Sequence, residues 1–347
     1  MTLLTAPRAA LALALAFLGL ACRSPYGTIE RDDAREHLDQ AERDLAAGNS
    51  AEALAHLEEI HQVSNLDPDL RRREDRLVEA AAEARFAEIA AGDDAAEEFE
   101  DLFRSKLPES VRARAGLAAA EVLLAEDSRI RAFRMVKKVD EALPAHHERV
   151  SAGDIVARAG LSLVRDERRY NLLFHYRPRG LQALEYLVLQ YPLDSRAAEA
   201  YYELSRAYES DREFDSAVER TEDLLLYHSD SPYAVAAAAR LPYLRLLRLG
   251  RDDYDRSELL RAENELAAWL ARHAGHELEG WARELLAQSR ARLVRSDLSL
   301  ARFYERTATP AGVRIHAERA RDLAREEGLV EELAAAEALL TDSSEGR

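Results

Sequence analysis

Cysteine occurs once in the 347 residues, at Cys22. A disulfide framework or a thiolate metal site needs more than one, so both are excluded. Glycine (14) and proline (10) are scarce, which leaves few turn signals for an all-β chain. Cations are outnumbered: 48 Lys and Arg face 65 Asp and Glu, for a net charge of −17. Nucleic-acid binding rests on clustered cations that displace counterions, so this balance argues against nucleic acid as the main partner. A long apolar run is missing as well. The longest, residues 9–20, has 12 residues where a membrane-spanning helix needs about 20. What the chain holds in quantity is Ala, Leu, Glu and Arg, all good helix formers. The expectation is an all-α protein.

The short apolar run carries its own meaning. Arg8 precedes it, and Leu18-Gly19-Leu20-Ala21-Cys22 closes it ahead of the turn-prone Arg23-Ser24-Pro25-Tyr26-Gly27. A charged start, a short apolar stretch and a small residue at its end read as a secretory signal. The junction resembles the lipobox of bacterial lipoproteins, with Gly19 standing where that pattern usually has Leu. The resemblance implies cleavage before Cys22 and a covalent lipid on that residue, with no other cofactor. Two or three acyl chains anchor far more firmly than one. Arg23 takes the place of the Asp that commonly retains such proteins in the inner membrane, so the implied location is the outer membrane, facing the periplasm. Residues 1–21 are thus the expected signal peptide and residues 22–32 a flexible tether.

From Asp33 onward, apolar residues recur at intervals of three and four. His37, Leu38, Ala41 and Leu45 outline one helix, and Ala53, Leu54, Leu57 and Ile60 a second, joined through Ala47-Gly48-Asn49-Ser50. Three sets share a spacing of twelve and then seven residues: Ala41, Ala53, Ile60; Ala120, Ala132, Val139; and Ser205, Ala217, Leu224. Small side chains at such points let paired helices cross closely. The offsets resemble the packing positions of the tetratricopeptide repeat, whose hairpins recur about every 34 residues because each buries its stripe only against the next. The expected architecture is a right-handed solenoid of five to seven hairpins, with repeats over 33–150 and again over 180–326. Prolines 68, 108, 144 and 178 read as helix ends about one repeat apart. Residues 151–179, which include the stretch Tyr170–Pro178, fit no repeat and are expected to be an irregular insertion. The acidic run over 92–101 reads as a solvated helix start, where carboxylates suit the N-terminal dipole. Residues 327–347 read as a C-terminal helix with a disordered tail from Thr341.

Catalytic signatures are missing. The chain has no GxSxG, GxxxxGK[ST], GxGxxG or HExxH. His56 and His61 are five apart and share no helix face, and His146-His147 and His273/His276 read as loop histidines without a carboxylate at ligand spacing. The expectation is a protein without enzymatic activity, metal or small-molecule substrate.

Gly180 to Leu323 carries a more specific pattern. Ala183-Leu184-Glu185-Tyr186-Leu187-Val188-Leu189-Gln190-Tyr191-Pro192 leads to Ala200-Tyr201-Tyr202, and Leu224-Leu225-Leu226-Tyr227-His228 repeats its helix-ending phrase. Ala262 to His273 does so again ahead of Trp281-Ala282-Arg283, and Leu300-Ala301-Arg302-Phe303-Tyr304-Glu305-Arg306 opens a last repeat. This region resembles the outer-membrane assembly lipoprotein BamD and its relatives. Thr307 to His316 departs from the family's Gly-Ala-aromatic turn and Asn-Arg pair, with Arg314 or His316 at the place of that Arg. The resemblance implies a membrane-tethered scaffold that binds a barrel-insertion subunit of the outer membrane. The alternative is a repeat scaffold for peptidoglycan or polysaccharide-export complexes. In a repeat of this kind the first helix of each hairpin lines the concave face, where exposed Tyr and Arg anchor partner segments. The candidates are Tyr202, Arg206, Tyr233, Arg240, Tyr243, Arg245, Arg306 and Arg314, while Tyr201 and Tyr208 read as packing residues.

Overall fold

The computed structural model describes residues 31–63, 65–166, 175–249 and 256–345; Cys22, the signal and the tether up to residue 30 lie outside them. Among the described residues the fold is all-α, with fifteen helices and no strand. None of these helices is long and apolar enough to cross a membrane.

The chain divides into two compact units, one of residues up to Val122 with Lys138–His147, the other of Leu123–Lys137 and everything from Glu148 onward. The first contains α1 (Arg31–Ala46), α2 (Ser50–His61), α3 (Pro68–Ala90), α4 (Ala95–Arg104) and most of α5 (Glu109–Ala125). The end of α6 (Arg129–Ala142) also belongs to it. Gly48 at φ +85° makes the turn between α1 and α2, a conformation that costs glycine nothing. Leu38, Ala41, Ala53, Leu57 and Ile60 are fully buried between these helices and α3. Burying each such leucine contributes roughly 1.5–3 kcal/mol. The acidic run starts α4, where Glu97 and Glu98 lie in the first turn, and Arg85 on α3 pairs with Glu98 at 2.5 Å.

The second unit holds the start of α6 and then α7 (Arg149–Arg165), α8 (Arg177–Gln190), α9 (Ala197–Ser210), α10 (Phe214–Tyr227) and α11 (Ala234–Arg248). It continues through α12 (Arg256–Arg272), α13 (Glu279–Arg306), α14 (Pro310–Glu327) and α15 (Val330–Glu345). From α7 to α15, neighbours that are both described pack on one another, and α7, α9, α11 and α13 also touch in sequence, each with the next but one. The sets with twelve-and-seven spacing are buried throughout: Ala120, Ala132, Val139, Ala217 and Leu224 are at 0% and Ser205 at 4%. Ser205 shows how near α9 and α10 come, since its hydroxyl donates to the Ala217 carbonyl at 3.1 Å.

Three expectations need correction. Residues 151–165 are helical, not irregular, and 177–179 form the first turn of α8; residues 167–174 lie outside the described part. Helix α7, which packs on α8, buries small residues (Ala152, Gly153, Ala157, Ala159, Gly160) together with Ile155, Val156, Leu161 and Leu163. Burial runs nearly all round the helix, so the one-face periodicity is muted. Proline also opens helices here: Pro68 and Pro178 occupy first-turn positions and Pro108 immediately precedes α5. A first-turn proline loses no helical hydrogen bond. Finally, α15 runs on to Glu345, so the segment read as a disordered tail is helical as far as it is described.

Candidate functional site

Buried Ala197, Ala200, Tyr201, Leu204 and Ser205 turn one stripe of α9 into the core. Tyr201 is 2% exposed, and its phenol, pushed up to about 12 by burial first, reaches the Val188 carbonyl at 3.3 Å. Tyr208 donates to Glu185 at 2.6 Å. These two are packing residues, as their positions implied.

Tyr202 and Arg206, one helical turn apart, leave that stripe for the side facing α11. The ring of Tyr202 lies 5.5 Å from that of Tyr233, which caps the start of α11. Burial raises the phenol of Tyr233, and Glu199, hydrogen-bonded to it, raises it further. Glu199 is in turn held by Arg165 of α7. On α11, Arg240 is half-buried and reaches Glu209. Its guanidinium is nonetheless held below the ordinary arginine value, first by burial and then by the like charge of Arg206. Tyr202 and Tyr243 are near enough to oppose that shift. Pro242, inside α11, cannot donate to the Ala238 carbonyl, which loosens the helix beside Arg240. Tyr243 meets Trp281 of α13 edge-on at 5.6 Å.

Five of the proposed contact residues, Tyr202, Arg206, Tyr233, Arg240 and Tyr243, are thus brought together across α9 and α11. Arg245 is not one of them. It is 3% exposed, and its guanidinium is consumed by Glu222 at 2.6 Å and Glu265 at 2.7 Å, so no partner can use it. Arg306 and Arg314 are exposed at the end of α13 and in α14, and no hydrogen bond, ion pair or ring contact joins them to the cluster. His316, the other residue considered for the family's Arg, is tied to buried Asp297 at 2.8 Å under the ring of Tyr304.

Sequence reading missed Arg165, Glu199 and Trp281 as members of this surface. A signal for two of them exists: Arg165 and Glu199 are 34 residues apart, and Tyr233 follows at the same stride. Arg206 and Arg240 repeat that separation.

Beside Glu199 lies a pocket of about 420 Å³ lined by Arg129, Arg158, Arg165 and Arg196, with Ser162 and Asp166. Asp127, Asp166, Asp154 and Glu199 neutralise these arginines, so it presents no net positive charge. His146 is a buried residue held by Asp140 at 2.8 Å, a carboxylate the sequence spacing did not reveal. Among the described residues no three His, Cys, Asp or Glu side chains converge as metal ligands. No family model matches the chain, and no curated protein is significantly similar to it.

Proposed function

We propose that the chain is a non-enzymatic scaffold of tetratricopeptide-like hairpins, a BamD-like lipoprotein tethered through Cys22 to the outer membrane and facing the periplasm. Its work is to bind a barrel-insertion subunit and hold it near the membrane. The observation that carries the protein-binding reading is the shared surface of Tyr202, Arg206, Tyr233, Arg240 and Tyr243 on α9 and α11. Tyr and Arg dominate interface hot spots because they combine area, polarity and low entropy cost. Repetition supports the solenoid. Arg165 meets Glu199, and Trp269 donates to the Val235 carbonyl at 2.9 Å, both across 34 residues. Contacts at one fixed stride are what stacked hairpins produce. The lipobox-like junction at Cys22 and the resemblance over 180–323 supply the rest.

The test is affinity capture of a tagged copy from membranes of the native cell, beside a Cys22→Ser copy. The expected result is enrichment of an outer-membrane barrel-insertion subunit, with the Cys22→Ser protein shifted to the soluble fraction. Recovery of wall-synthesis or polysaccharide-export proteins instead would replace this assignment with the envelope-scaffold alternative.

A further inference from the structure

Where α13 turns into α14, both helices carry the same short pattern. Arg302-Phe303 is followed by Arg306, and Arg314-Ile315 by Arg319. Phe303 is 50% exposed and Ile315 46%, large apolar side chains that the fold leaves open. They fall on one side of the hairpin. Tyr304 stacks on His316 where the helices meet, with ring centroids 5.6 Å apart. Phe303 and Ile315 each precede one member of that stack. In antiparallel helices a step of one residue back turns both side chains to the same side. Arg306 and Arg319 stand one turn along from them, on that side as well. The four arginines form no ion pair or hydrogen bond among the described residues. Only Glu305 and Glu318 oppose them within residues 301–320, so the hairpin keeps a positive excess in a chain of net charge −17. On α13 and α15, Asp297, Glu332 and Glu337 are engaged by Arg256, Arg295 and Arg325. Every residue from Glu305 to Ala311 is exposed, so the turn projects from the body.

We propose that this hairpin lies on an anionic lipid surface, with Phe303 and Ile315 entering the headgroup layer and Arg302, Arg306, Arg314 and Arg319 meeting lipid phosphates. Apolar side chains ringed by cations are what a helix lying in that layer needs, one set for the acyl boundary and one for the negative charge. Hot spots between proteins sit in well-packed pockets, whereas a projecting turn meets a flat bilayer over its whole surface. The acidic remainder of the chain does not forbid the contact, because at physiological salt its field fades over about 8 Å. The proposal goes beyond the scaffold reading: it adds a second membrane contact to the tether at Cys22 and involves no protein partner.

The test is flotation of residues 22–347 carrying Cys22→Ser, and so free of any acyl anchor, with vesicles. Binding to phosphatidylglycerol-rich vesicles is expected to be at least about tenfold tighter than to pure phosphatidylcholine vesicles. Arg306→Glu combined with Arg319→Glu is expected to erase that preference. The same pair of changes at exposed Arg76 and Arg131 is expected to leave it intact. Phe303→Ser combined with Ile315→Ser is expected to weaken binding about fivefold or more while the preference for anionic lipid persists. Equal binding to both vesicles, binding to neither, or an equal loss from the Arg76 and Arg131 changes would each overturn the proposal. A photo-crosslinking amino acid at Phe303 in living cells is expected to label phospholipid. A protein adduct there in place of lipid would overturn the proposal and give the surface to a partner chain. The vesicle readouts do not involve a barrel-insertion subunit, so the proposal and the scaffold reading fail separately.

Discussion

At the scale of single residues, charge type is a poor guide to exposure. Arginine is almost never fully buried unless paired, so a sequence reading places Arg245 on the surface beside Tyr243. The structure buries it because two carboxylates from other helices converge on it, Glu222 of α10 and Glu265 of α12. Those partners are 23 and 20 residues away, and nothing in the local pattern around Arg245 announces them. Removing one partner of a buried ion pair costs about 3–5 kcal/mol. Here the orphaned carboxylates are 49% and 33% exposed and can rehydrate, so a smaller loss of about 2 kcal/mol is expected for Arg245→Ala. Urea unfolding checks this, and a loss below about 0.5 kcal/mol would mean the triad holds nothing together. Tyr202 and Arg206 were legible for the opposite reason. They leave the α9 stripe marked by Ala200, Tyr201, Leu204 and Ser205, and the spacing alone separates the two sets.

At the scale of elements, helices with one apolar stripe were readable and the helix buried nearly all round was not. The α1–α2 hairpin appears with the expected turn at Gly48, and between α9 and α10 Arg212 supplies the positive φ. Helix α7 was misjudged because its buried residues, Ala152 to Leu163, run around the helix instead of along one face, and its two glycines lower the local helix propensity. The glycines where α7 meets α8, Gly160 on the first and Gly180 on the second, are there for closeness. A methyl group on Gly180 would stand 2.6 Å from the Val164 backbone nitrogen and 2.9 Å from the Gly160 carbonyl oxygen. Backbone cannot step aside as a side chain can. Gly180→Ala gains about 1 kcal/mol of helix propensity and loses roughly 2–3 kcal/mol to overpacking, so the clash wins. Thermal unfolding is expected to show a net destabilisation, whereas Gly280→Ala, with nothing within 4 Å of the added methyl, is expected to be neutral or stabilising. A stabilised Gly180→Ala would show that α7 and α8 have room to part.

At the scale of the whole molecule, the sequence was most informative about period and least about what faces what. Helix content and the twelve-and-seven offsets could be read directly, because burial imposes them on the three helix pairs that carry them. The shared surface could be read in part: the aromatic and arginine residues were visible, but the pairing of Arg165, Glu199 and Tyr233 at one stride emerges only when α7, α9 and α11 are packed. The central claim is that the α9–α11 surface, as distinct from the rest of the exposed chain, meets a protein partner. The measurement that tests it most directly places a photo-crosslinking amino acid at Tyr202 in living cells, with the same residue at exposed Glu219 of α10 as the comparison. An adduct with an outer-membrane barrel-insertion subunit is expected from position 202 and none from position 219. Equal adducts from both positions, or none from position 202 in cells where the chain is abundant, would contradict the claim.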